Sequence, residues 1–126
     1  MISGVVNHER EAIVGLTLLG NRKQHVRIKA VIDTGYDGWL LLPPSLIAEL
    51  GYEWSTECRV VLADGTRTSF DVYRGTVLWD RRRRTISIDE ADSSPLVGMK
   101  LLEGFELTIQ ARSGGSVTIR RLPKNP

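Results

Sequence analysis

Asp33-Thr34-Gly35 is the segment whose residue types best suit chemistry on a polar bond. An Asp carboxylate takes a proton from water when ionised and gives one when protonated. It serves general acid–base catalysis wherever a fold holds it against a substrate. Thr34 is small and carries a hydroxyl for local hydrogen bonds, and Gly35 permits close backbone approach. The tripeptide alone reads as a turn, because Asp and Gly are common turn residues. Its position argues for chemistry: it stands where an alternating segment ends, on a loop carried by a rigid element. His8, His25 and Cys58 lack metal-ligand spacing, so neither a metal nor another cofactor is expected. No basic partner in the sequence points to a nucleophilic role for Cys58, which is expected in the core. The run Arg81 to Arg84 suits phosphates or an acidic partner. Between two strand-like segments, and diluted by Asp80, Asp89, Glu90 and Asp92, it reads as a solvated hairpin tip. Trp39, Trp54 and Trp79 are expected to be packing anchors.

The elements that must position Asp33 follow from period-2 alternation punctuated by Gly and Pro, the pattern of an all-β chain with short strands. An early strand covers Ala12 to Leu19, and Gly20-Asn21 turns the chain into a strand from Val26 to Ile32. In that second strand Val26, Ile28, Ala30 and Ile32 share one face, while Arg27 and Lys29 take the other. After the loop from Asp33 to Gly38, Trp39 to Leu42 reads as a buried strand. Pro43-Pro44 then opens a brief helix through Leu50 that Gly51 ends. Asp64-Gly65, between Arg59–Leu62 and Thr68–Val72, predicts a projecting β-hairpin. A second hairpin pairs Tyr73–Trp79 with Thr85–Ile88 across Asp80–Arg84. Pro95-Leu96-Val97-Gly98 reads as a short apolar strand, and Met99 to Phe105 as a short helix. Strands Glu106 to Ala111 and Ser116 to Leu122, joined by Ser113-Gly114-Gly115, close the chain.

The 126 residues suit one domain spanning 1–126, with apolar and charged fractions of 41% and 25%, ordinary for a globular protein. A net charge of +2 is too small to imply a nucleic-acid partner. No apolar run is long enough to span a bilayer, so no membrane association is expected. The first ten residues lack the basic start and apolar stretch of a secretory leader. With the single Cys58, this points to a cytoplasmic location.

The order of these parts, from Val26 to Leu107, resembles the retropepsin-like aspartic proteases. The resemblance rests on Val31-Ile32-Asp33-Thr34-Gly35, on the hairpin from Val60 to Val72 with its tip near Ala63-Asp64-Gly65-Thr66, and on Leu96-Val97-Gly98 before Met99-Lys100-Leu101-Leu102. The continuation Tyr36-Asp37-Gly38-Trp39-Leu40-Leu41-Leu42-Pro43-Pro44 looks like small bacterial members of the group. The resemblance implies an acid-protease β-barrel with a flap hairpin and one or two short helices. It also implies an endopeptidase acting on peptide or protein substrates.

In that chemistry one ionised carboxylate activates a water and one protonated carboxylic acid polarises the scissile carbonyl. With one Asp-Thr-Gly in the chain, the second Asp33 must come from an identical subunit across a two-fold axis. The resemblance makes Asp33, Thr34 and Gly35 catalytic, Thr34 by hydrogen bonds across the axis. Gly35, Tyr36, Asp37, Ala63, Asp64 and Gly65 are then substrate-binding. Two departures stand out: Tyr36 is large where the group has a small residue, and Met99-Lys100 follow Gly98 where viral members place an Arg. The alternative is a non-catalytic peptide-binding or scaffold module on the same fold.

Overall fold

The computed structural model describes residues 1–124. The last two positions of the expected domain, 125 and 126, lie outside the described residues. The elements are β1 (Ile2–Val6), β2 (Ala12–Leu19), β3 (His25–Ile32), β4 (Leu40–Leu42), α1 (Pro44–Leu50), β5 (Glu53–Val61), β6 (Arg67–Trp79), β7 (Arg82–Glu90), β8 (Leu96–Val97), α2 (Met99–Leu102), β9 (Phe105–Ile109) and β10 (Ser116–Arg121).

The strands close into a barrel. Neighbours run β6-β7-β4-β8-β3-β2, and pairing of Thr17–Leu19 with Thr76–Leu78 joins β2 back to β6. Closure works because two strands change partners along their length. The first half of β2 pairs with β1 and its last residues with β6. In the same way β6 pairs with β5 from Arg67 to Arg74 and with β2 from Thr76 to Leu78. Beyond the barrel, β1 continues the sheet to β10 and β9.

The alternating residues fill the interior. Ala12, Val14, Leu16 and Leu18 of β2, Ala30 and Ile32 of β3, Ile86 and Ile88 of β7, and Val117 and Ile119 of β10 are buried in one cluster with Trp79. Helix α1 packs Ile47 and Leu50 onto it. Pro44 supplies the helical φ at the start, and Gly51 at φ 69° ends the helix with its N–H on the Ala48 carbonyl.

Several expectations change. β1 has no counterpart among the expected strands; it pairs Ile2–Val5 with β10 and Gly4–Val6 with β2. β6 is one strand of 13 residues where two were expected, because each end finds a different partner. The turn before β7 is only Asp80-Arg81, at φ 51° and 68°, the paired left-handed conformation that suits a tight hairpin. Arg82 to Arg84 are therefore strand residues, paired with Trp79, Leu78 and Val77. The helix expected to reach Phe105 stops at Leu102, and Phe105 starts β9. Trp54 is 59% exposed on β5, and Cys58 on the same strand is half-buried. Neither joins the core, because the hairpin carrying them projects beyond it.

Candidate functional site

Asp33 follows the last residue of β3, and the loop from Asp33 to Trp39 returns the chain into β4. β8 is wedged between those two strands, parallel to β3 through Val31–Leu96 and Ile32–Val97 and antiparallel to β4 through Leu40–Val97. The loop must cross the end of β8, and backbone hydrogen bonds fasten it there. Asp33 N–H donates to the Val97 carbonyl at 2.9 Å and Gly98 N–H to that of Trp39 at 3.1 Å. Met99 N–H donates to the Tyr36 carbonyl at 2.8 Å and Lys100 N–H to that of Gly38 at 3.0 Å. Gly98 is required at this crossing: a Cβ there would overlap the Gly38 carbonyl oxygen and come within 2.6 Å of the Tyr36 ring. The apolar-apolar-Gly segment thus acts as the clasp of the Asp33 loop.

Within the loop, Asp33 Oδ1 accepts the Gly35 N–H at 2.9 Å, and the Asp33 carbonyl accepts the Tyr36 N–H at 3.1 Å. This Asx turn fixes the carboxylate's orientation and leaves Oδ2 free of protein partners among the described residues. Asp33 is half-buried, whereas Thr34, Gly35 and Asp37 are exposed. Asp33 borders an open groove lined by the apolar Val31, Ile32, Leu96 and Ile109 and by the charged Arg10 and Glu11.

Tyr36 turns inward. Its ring lies against Gly38 and Gly98, and its hydroxyl donates to Asp89 Oδ2 on β7 at 2.5 Å. Burial above all, then the hydrogen bond and charge of Asp89 and the charge of Asp37, hold the phenol well above the usual tyrosine range. Asp37 has no Arg partner among the described residues, in keeping with Met99-Lys100 after Gly98.

Ala63, Asp64 and Gly65 form the tip of the β5–β6 hairpin. Leu62 N–H donates to the Thr66 carbonyl at 2.7 Å, Gly65 N–H to that of Leu62 at 2.9 Å, and Gly65 sits at φ 85°. That is a three-residue turn with a glycine bulge, and only glycine takes this φ without strain. Thr66, through its side chain first and its backbone N–H second, holds the Asp64 carboxyl below the usual range. Nearly all of the hairpin from Glu53 to Ser69 is exposed, including Val61 at 69% and Leu62 at 49%.

The fold brings Asp33 to Asp37 onto one clasped loop. The hairpin tip does not line the groove that holds Asp33. Sequence reasoning missed Asp89 as the acceptor for Tyr36, and Arg10, Glu11 and Ile109 around the groove. The first three gave no local signal. Ile109 was legible as a strand residue but not as a neighbour of Asp33.

A six-stranded barrel, a strand wedged under an Asp-Thr-Gly loop and a projecting hairpin make this a retropepsin-like, all-β acid-protease fold. Solved structures share it. The chain matches a retropepsin-like aspartic protease from Rickettsia conorii at 15% identity and TM-score 0.57, over 96% of this chain and 90% of that one. It matches the EIAV protease, in complex with the inhibitor HBY-793, at 17% identity and TM-score 0.51, over 71% of this chain and 84% of that one. No protein-family model and no curated protein matches the sequence.

Proposed function

We propose that the protein is an aspartic endopeptidase that works as a homodimer, with Asp33 of each subunit forming the carboxylate pair that activates water. One observation carries the reading. Asp33 stands half-buried beside an apolar groove, on a loop clasped by β8 and α2, in a fold shared with two aspartic proteases.

Two facing carboxylates resist ionising together, so the pair holds one proton between them. The ionised member takes a proton from the attacking water, while the protonated member donates to the scissile carbonyl as negative charge develops on its oxygen. Collapse of the tetrahedral adduct returns a proton to the leaving amine and restores the pair. Oδ2, unoccupied by the Asx turn, is the atom for this work. Thr34, exposed beside Asp33, would bridge the two loops across the axis, and the Gly35 carbonyl and Asp37 would meet the substrate backbone. Tyr36 shapes the floor beneath them. The hairpin tip at Ala63, Asp64 and Gly65 would close over an extended peptide, with Val61 and Leu62 offering apolar contacts. The apolar side of the groove at Val31, Leu96 and Ile109 is the surface a second subunit would cover. Cys58 is unpaired, as the reducing cytoplasm allows.

Asp33→Asn tests the reading, since the amide keeps the shape but can act neither as base nor as acid. Cleavage of an unfolded protein is expected for wild type, best in mildly acid solution where the pair keeps its proton, and none for the variant. Circular dichroism and sedimentation should show the fold and dimer retained. Cleavage by a folded Asp33→Asn dimer would reject the mechanism. If neither protein cleaves at any pH, the non-catalytic peptide-binding module becomes the better reading.

A further inference from the structure

On β7 the inward row of side chains changes character along the strand. Ile88 and Ile86 lie in the core, but the same alternation continues into Arg84 and Arg82 at the barrel's end. There the cross-strand neighbours are Val77 and Trp79 of β6. The opening is a concavity of about 470 Å³, within the range of small-ligand sites. Among the described residues its lining cations are Arg82, Arg83, Arg84, Arg121 and Lys124 and its lining acid is Glu103, with Asp80 paired to Arg121 beside it.

Two of these guanidinium groups are pre-positioned. Arg121 lies over the Phe105 ring at 5.4 Å, with Asp80 Oδ2 accepting its Nε–H at 2.9 Å, and Arg84 lies over Trp39 at 5.1 Å. Among the described residues, Arg82, Arg83 and Arg84 have no carboxylate at ion-pair distance. The buried Nε1–H of Trp79, which also lines this concavity, has no acceptor among them. Gathering like charges around one concavity opposes folding through their mutual repulsion, and a chain of net charge +2 has ample surface on which to disperse them.

We propose that this end of the barrel is a binding pocket for a compact polyanion bearing phosphoryl groups. Guanidinium forks match phosphoryl oxygens in pairs, and a triphosphate concentrates several charges in a volume this opening admits. A peptide carries at most one carboxylate per residue side chain and spreads its charge along the chain. No residue from Asp33 to Gly38 lines the pocket, and Arg84 meets only Trp39 at the loop's far end. Arg82 is seven residues along β7 from Asp89, the acceptor for Tyr36, which is roughly 23 Å at the usual strand rise.

Calorimetric titration of the full chain with inorganic tripolyphosphate tests the proposal. Saturable one-site binding is expected, weakened at least tenfold in the Arg82→Gln/Arg83→Gln double variant and measurably in Lys124→Gln, and reduced by added salt. Asp33→Asn protein should bind as wild type does, which separates this proposal from the peptidase reading. No saturable binding by wild type would overturn it, as would equal binding by a double variant that circular dichroism shows to be folded. Citrate binding as tightly as tripolyphosphate would overturn the phosphoryl assignment in favour of carboxylates.

Discussion

Tyr36→Phe isolates one hydrogen bond. The phenyl ring still covers Gly38 and Gly98, and only the hydroxyl that donates to Asp89 Oδ2 at 2.5 Å is lost. A hydrogen bond to a charged group contributes about 1.5–3 kcal/mol net, and here water reaches the half-buried pair and replaces part of it. The expected loss is about 1–2 kcal/mol. For a chain of 126 residues that corresponds to a fall in Tm of roughly 4–8 °C. Calorimetry and urea unfolding at pH 7 measure it, and a double-mutant cycle with Asp89→Asn should give a coupling of about 1 kcal/mol.

The pH dependence has a definite sign. The folded pKa of Tyr36 is raised above its unfolded value near 10, by burial first and Asp89 second. Its contribution is therefore fully present below about pH 10 and is lost as pH rises beyond it. A phenylalanine at this position has no proton to lose, so the stability gap between the two proteins should be flat through neutral pH and narrow above about pH 10. Tyr52, pushed up to about 12 by burial, titrates in both proteins and cancels. A Tyr36→Phe variant as stable as wild type, or a cycle showing no coupling to Asp89, would refute the claim that this bond anchors the loop.

Two more outcomes are expected. Gly65→Val places a β-branched residue at φ 85°; the local strain of about 1–2 kcal/mol should be relieved by fraying of the exposed hairpin rather than by global unfolding, so Tm should fall less than in Tyr36→Phe while peptide turnover drops tenfold or more. Unimpaired turnover would show that this hairpin does not close over substrate. Ile109→Lys, at a position 40% exposed beside Asp33, should leave the monomer fold intact, shift sedimentation toward monomer and lower specific activity, most of all on dilution. A fully active Ile109→Lys monomer would remove the dimer from the proposal.

The residues around Asp33 were legible because each obeys a local rule. Val26 to Ile32 alternates, Pro44 and Gly51 bracket a helix, and Asp64-Gly65 marks a turn, so the chain writes its strand, helix and hairpin in short windows. Windows that short cannot report what lies across the barrel. The sequence contains Leu96-Val97-Gly98, but nothing local says that β8 enters between β3 and β4, or that Gly98 is the one residue admitted under Gly38. β6 runs through two expected strands because its first part pairs with β5, just before it in the chain, and its last residues with β2, far earlier. Arg82 to Arg84 read as a tip by composition, yet pairing with Val77 to Trp79 makes them strand and gathers them around one opening. Nothing near Tyr36 in the sequence points to Asp89, far away along the chain, which only the fold brings within reach of its hydroxyl. Local conformation depends on each residue's own sterics and hydrogen-bonding groups, whereas these contacts depend on which distant segments burial brings together.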